Sequence, residues 1–217
     1  MSSRKESWKR LRTGAWCNNP ALANKNDSTA KFMKLSQGAG PYKYDEYAVH
    51  IDSVSGTVLF NYLKAFAMDV NRTVKNPIFD QINVFEKRNE RRIELSDIWD
   101  INIVGADNGS IVLVEKSPNF GKTGISSWID IQTIECEKYG THPECGAREF
   151  GFELNRNRAT FYTRGVSRAY MHIHRTGTPI QHQGWTSMLT GIAAELKKKG
   201  AIINNSEVHS KMVEKDE

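Results

Sequence analysis

Between residues 98 and 175 the chain reads as one β-rich segment after another, separated by turn residues and never by a stretch with helical period. Strands that follow one another without helical crossovers pair with their sequence neighbours, so the sheet they build is largely antiparallel. The first pair is 98–104 with 111–114, joined through Ala106-Asp107-Asn108-Gly109, where Asn and Gly both tolerate the positive φ of a tight hairpin turn. Further strands are expected at 125–134, 150–154, 159–163 and 168–175, the last alternating through Ala169, Tyr170, Met171, His172, Ile173 and His174.

Ahead of this run, Tyr47, Val49 and Ile51 alternate with Ala48, His50 and Asp52 as a half-buried strand does. Leu59, Phe60, Leu63, Phe66, Ala67 and Val70 then recur at spacings of three and four, which predicts a helix over 57–70 with Ser55 or Thr57 able to cap it. A short strand is expected near 82–85, before the charged hinge 86–92. A second helix is expected over 185–199, stopped by Gly200 and carrying Lys197, Lys198 and Lys199 where cations meet the negative end of the helix dipole.

The fold class that follows is α+β: a single domain with a mostly antiparallel sheet covered by two helices, and a flexible basic N-terminal arm. Residues 1–40, rich in Ser, Asn, Lys and Gly without a sustained period, form the arm; 41–203 form the core domain; 204–217 form a flexible C-terminal tail. With 39% hydrophobic and 25% charged residues, a folded centre is expected. The longest apolar runs, such as Ile111-Val112-Leu113-Val114, are far shorter than the roughly twenty residues a membrane-spanning helix needs. The charged start lacks the apolar stretch of a secretion signal, and three cysteines make no disulfide framework, so a reducing cytoplasm or nucleus is expected.

The net charge of +5 is unevenly spread. Residues 1–12 hold Arg4, Lys5, Lys9, Arg10 and Arg12 against Glu6, and 148–175 hold Arg148, Arg156, Arg158, Arg164, Arg168 and Arg175 against Glu149 and Glu153. Arginine neutralises phosphate and aromatic faces stack on bases, so Arg156, Arg158, Arg164, Arg168, Tyr170 and Arg175, with the five basic residues of the arm, are the candidate contacts to nucleic acid or an anionic surface. A sheet edge guarded against aggregation would be equally rich in arginine.

Other motifs point less far. Gly121-Lys122-Thr123 lacks the upstream glycine of a phosphate loop, whose place is taken by Lys116. Cys136, His142 and Cys145 have metal-ligand chemistry but match no common zinc spacing, and His172 with His174 shares one strand face without a third partner. No nucleophile motif is present. The expectation is a protein that is not an enzyme and needs no metal or cofactor.

In organisation, residues 42–203 resemble the matrix proteins of rhabdoviruses: a basic arm, a strand at 47–53 leading into a helix at 59–70, a central sheet, then the segment 168–175 and a terminal helix at 188–199. The arm lacks the Pro-Pro-x-Tyr motif some members carry, Gly40-Pro41-Tyr42 standing nearest to it. The resemblance implies a virion structural protein that self-associates and binds nucleocapsid and anionic membrane, located in the virion and the host cytoplasm or nucleus. The alternatives are a nucleic-acid-binding viral accessory protein, such as a silencing suppressor or transport factor, and a metal-dependent enzyme.

Overall fold

The computed structural model describes residues 4–89, 93–103, 108–170 and 177–216. It is α+β, with nine strands among these residues joined in one antiparallel sheet. In chain order the strands are β1 (Lys31–Phe32), β2 (Ala39–Ile51), β3 (Asn83–Lys87), β4 (Ile98–Ile103), β5 (Gly109–Lys116), β6 (Ser127–Glu135), β7 (Glu144–Asn155), β8 (Arg158–Ala169) and β9 (His209–Lys215). The sheet runs β3-β4-β5-β6-β7-β8-β2-β9, with β1 paired to β6 off this path. Six strands in sequence order form a meander, as consecutive strands without helical crossovers must.

The expected hairpin is formed by β4 and β5, with Ile98 opposite Val112 and Ile101 opposite Gly109, although residues 104–107 of its turn lie outside the described residues. Of the strand expected at 168–175, Arg168 and Ala169 belong to the end of β8. Residues 171–176, with His172, His174 and Arg175, lie outside the described residues.

One face of the sheet is covered by helices. Between β2 and β3 lie α3 (Gly56–Met68), α4 (Val70–Thr73) and α5 (Pro77–Ile82), and after β8 comes the long α6 (Gly177–Lys198). The α3 apolar spacing buries Leu59, Tyr62, Leu63 and Phe66, and Ser55 caps its start by accepting from the Val58 amide at 3.3 Å. On α6 the buried side chains Met188, Leu189, Ile192, Ala193 and Leu196 follow the same three-and-four spacing. They meet Val49, Ile51, Phe150, Phe152 and Phe161 from the sheet in the main core.

The opposite face is covered too, by the segment expected to be a flexible arm. Helix α1 (Arg4–Thr13), a 3₁₀ turn at Ala15–Asn18, the short α2 (Ala21–Asn24) and β1 lie across it. Their Leu11, Trp16, Ala23, Ala30 and Phe32 form a second core with Ile98, Val112, Val114, Ile134, Ala147 and Val166. Trp16 also donates its indole N–H to Gln132 at 3.0 Å. The C-terminal segment is likewise not a loose tail: β9 pairs with β2 from Tyr42 opposite Lys215 to Ala48 opposite His209.

Candidate functional site

A row of charged residues crosses the sheet beneath α1. Glu115 lies opposite Asp130, Asp130 opposite Glu149, Glu149 opposite Arg164, Arg164 opposite Glu46, and Glu46 opposite Lys211, so six groups on β5, β6, β7, β8, β2 and β9 stand in register. A bulge after Leu113 brings Glu115 onto the same face as Asp130. The carboxylates of Asp130 and Glu149 are wholly buried, and α1 supplies their counter-charge. Arg10 Nε donates to Asp130 at 2.6 Å, its Nη2 reaches Glu149, and its guanidinium lies 3.6 Å over the Trp128 ring. Ser7 and Tyr162 also donate to Glu149, at 3.1 Å and 2.6 Å.

These surroundings set the protonation of the row. Burial, reinforced by the Glu149 charge, pushes the Asp130 carboxyl well above its usual range against the opposing pull of Arg10. Burial and the Glu149 charge also raise the Tyr162 hydroxyl. Burial works against the charge on Arg164, yet Tyr162 and the carboxylates of Glu149, Glu153 and Glu46 hold it protonated above its ordinary value.

Beside this row lies a groove of about 770 Å³ between α1 and the β2–β9 edge. Its walls carry Arg4, Lys5, Lys9 and Arg12 from α1 and Lys211 and Lys215 from β9, around the rings of Trp8 and Tyr44. Those rings meet edge to face with centroids 5.7 Å apart, and the Lys215 ammonium lies 5.6 Å over Tyr44. Glu46 supplies the groove's carboxylate, and it is engaged on both sides, by Arg4 at 2.6 Å and by Arg164 at 3.0 Å.

The basic residues singled out in the sequence therefore divide. Arg4, Lys5, Lys9 and Arg12 come together in the groove, whereas Arg10 turns into the sheet as an internal counter-ion. Arg156 and Arg158 are exposed at the β7–β8 turn, with Arg156 at φ 58, and Arg164 is buried among carboxylates. Arg168 is held by the carbonyls of Gly40 at 2.9 Å and Leu35 at 3.3 Å, and Tyr170 is half-buried with its amide on the Pro143 carbonyl. They do not form one arginine–aromatic face, because the pleat sends Arg164 beneath α1 while the turn carries Arg156 and Arg158 to the far end of β8. Trp8, Tyr44, Lys211 and Lys215 were not singled out.

The remaining motifs are structural. Lys122 lies in the exposed loop after β5. Cys136 donates to Ser110 at 3.3 Å and receives Arg88 at 3.3 Å, and His142 Nδ1 engages the Glu144 backbone at 3.0 Å. Among the described residues no group of three or more His, Cys, Asp or Glu is placed to hold a metal. Between α3, α4 and the sheet, a cavity among Phe66, Val70, Phe85, Trp99, Ile131 and Phe150 has about 20 Å³, room for about one water.

No protein-family model matches the sequence, and no curated protein matches it. Among solved structures, norcoclaurine synthase from Thalictrum flavum matches at a TM-score of 0.49 and 8% identity, covering 77% of this chain and 90% of that one. A conserved protein from Geobacillus kaustophilus matches at 0.42 and 8%, covering 72% and 93%, and the di-domain ARO/CYC StfQ of the steffimycin pathway at 0.38 and 13%, covering 74% and 45%. None of these is a viral matrix protein, and the expected virion structural role is corrected accordingly. The interior agrees, since Arg10 and Arg164, expected to meet phosphates, are spent on buried carboxylates. One matched protein is a synthase by name, so the likeness gives no ground for expecting that catalysis is absent. Among the described residues no helix is long and apolar enough to cross a membrane.

Proposed function

We propose that the protein is a ligand-binding protein whose groove between α1 and β9 takes an anionic ligand with closely spaced charges. The observation that carries this reading is the charge balance of the groove: Lys5, Lys9, Lys211 and Lys215 stand around Glu46, which is already shared between Arg4 and Arg164. Like charges gathered around a concave, partly aromatic surface repel one another and focus a positive potential, and an anion entering it relieves both. Trp8 and Tyr44 give the ligand an apolar floor on which charge interactions are less screened than in bulk water.

Calorimetric titration with sodium tripolyphosphate tests this. Saturable binding that weakens as salt rises is expected. The double variant Lys9→Glu with Lys211→Glu should lose at least about tenfold in affinity, because it reverses one charge on each wall, or about 1.4 kcal/mol. Lys122→Glu, which changes total charge away from the groove, should leave affinity as it is. Equal losses in both variants, or no binding by the parent, would refute the reading.

A further inference from the structure

The groove ends on a sheet edge. Strand β9 is the last strand of the sheet, and among the described residues none pairs with its outer side. The backbone donors and acceptors along such a side are a template for one more strand. Because Lys215 lies opposite Tyr42, Val213 opposite Tyr44 and Lys211 opposite Glu46, these three side chains stand on the groove face of β9, while Ser210, Met212 and Glu214 point the other way. The groove face of the edge therefore reads cation, apolar, cation at successive pleats.

We infer that the ligand of this groove is an extended acidic polypeptide segment that adds to the outer edge of β9 as a further strand, with the pattern acidic, apolar, acidic at positions i, i+2 and i+4. This rests on the reading of the groove as an anion site and names its partner class. A strand laid against β9 in either direction places alternate side chains on the groove face, next to Lys211, Val213 and Lys215, on the side of the groove that faces Lys5 and Lys9 of α1. Carboxylates at the outer two positions meet ammonium groups, and an apolar residue at the middle one meets Val213. The same charges refuse a second copy of this chain. Two β9 edges paired antiparallel about Val213 would set Lys211 against Lys215, and like charges directly opposite destabilise a strand pair. The edge is closed to itself and open to an acidic partner.

The test uses the full chain and labelled peptides followed by fluorescence anisotropy, with tripolyphosphate titrated in parallel. The peptide Ser-Glu-Ser-Val-Ser-Glu-Ser should bind at least about tenfold more tightly than a shuffled peptide of the same composition with its two glutamates adjacent, about 1.4 kcal/mol. N-methylation at one alternate set of peptide amides should abolish binding, and at the other set leave it unchanged, because only one set faces β9. With Lys211→Glu and Lys215→Glu together, the peptide carrying lysines in place of its glutamates should bind instead. If both N-methylated peptides bind like the parent, or the shuffled peptide binds equally well, the added strand is overturned. Tripolyphosphate that still binds in that event leaves the anion groove standing, whereas loss of both ligands defeats the groove itself.

Discussion

Replacing Arg10 with methionine keeps an unbranched stem but removes the guanidinium that lies over Trp128 between two buried carboxylates. Glu149 would retain donors in Ser7 and Tyr162, with Arg164 at 3.6 Å. Asp130, wholly buried, would lose the cation that meets it at 2.6 Å. Removing one partner of a buried ion pair costs about 3–5 kcal/mol, a large part of the roughly 5–15 kcal/mol that holds a domain folded. At about 2–4 °C per kcal/mol for a chain of this size, melting should fall by roughly 6–20 °C. The loss should also depend on pH. Burial first, and the Glu149 charge second, already raise the native Asp130 carboxyl above its unfolded value. An acid raised in this way holds its proton in the folded state where the unfolded chain has released it, so its contribution to stability falls as pH rises through the native value. Without Arg10 the carboxyl is raised further, so the deficit of the variant should be smallest at acid pH, where both proteins keep Asp130 protonated, and should grow toward mildly alkaline pH. Urea unfolding followed by circular dichroism across that range measures it. A deficit below about 1 kcal/mol at pH 8, or one equal at every pH, would refute the assignment of Arg10 as the counter-ion. Adding Asp130→Asn to the variant should restore much of the loss.

Deleting residues 1–35 should leave a chain that aggregates or unfolds rather than a trimmed stable core. Leu11, Trp16, Phe32 and Met33 are buried against the sheet, and at about 1.5–3 kcal/mol per large side chain their loss rivals the whole stability of a domain. A cooperative melt of the truncated chain within a few degrees of the parent would show that the second core is dispensable. Burial pushes the thiols of Cys17 and Cys145 up to about 11, so only about one in a thousand is thiolate at pH 8. A chromogenic disulfide reagent should therefore modify the native protein slowly and the urea-unfolded protein at once, and rapid modification of Cys145 in the native protein would contradict its burial.

The parts of the fold that sequence reveals are those in which one element carries its own period. Helix α3 shows its buried face at spacings of three and four and its cap at Ser55, and β4 with β5 are two β-rich runs about a turn. Residues 4–40 fail that test for a physical reason: their apolar contacts come from a short helix, a 3₁₀ turn, a four-residue helix and a two-residue strand, each contributing one or two side chains. The complementary signal lies in the sheet. Ile111-Val112-Leu113-Val114 does not alternate, and an antiparallel strand apolar on both faces requires a second covering layer, here the N-terminal segment. The groove was half legible for a similar reason. The cations of α1 cluster in sequence, whereas β9 owes its place to backbone pairing with β2, and a strand with mostly exposed side chains carries no buried alternation to betray it.

The charged row beneath α1 also constrains which pairings the sheet can adopt while it forms. Side chains alternate between faces, so sliding β6 by one residue against β7 would carry Asp130 into the aromatic core below α3 and turn Ile129 and Ile131 toward Arg10. An uncompensated carboxylate in that interior is far more costly than a mismatched pair of apolar residues, so a slipped sheet is penalised at several strands at once. Apolar side chains alone would leave β5 and β6, buried on both faces, nearly indifferent to such a shift. The buried ions make the correct alignment distinguishable from its neighbours, and α1 can dock with Arg10 between Asp130 and Glu149 only once that alignment has been reached.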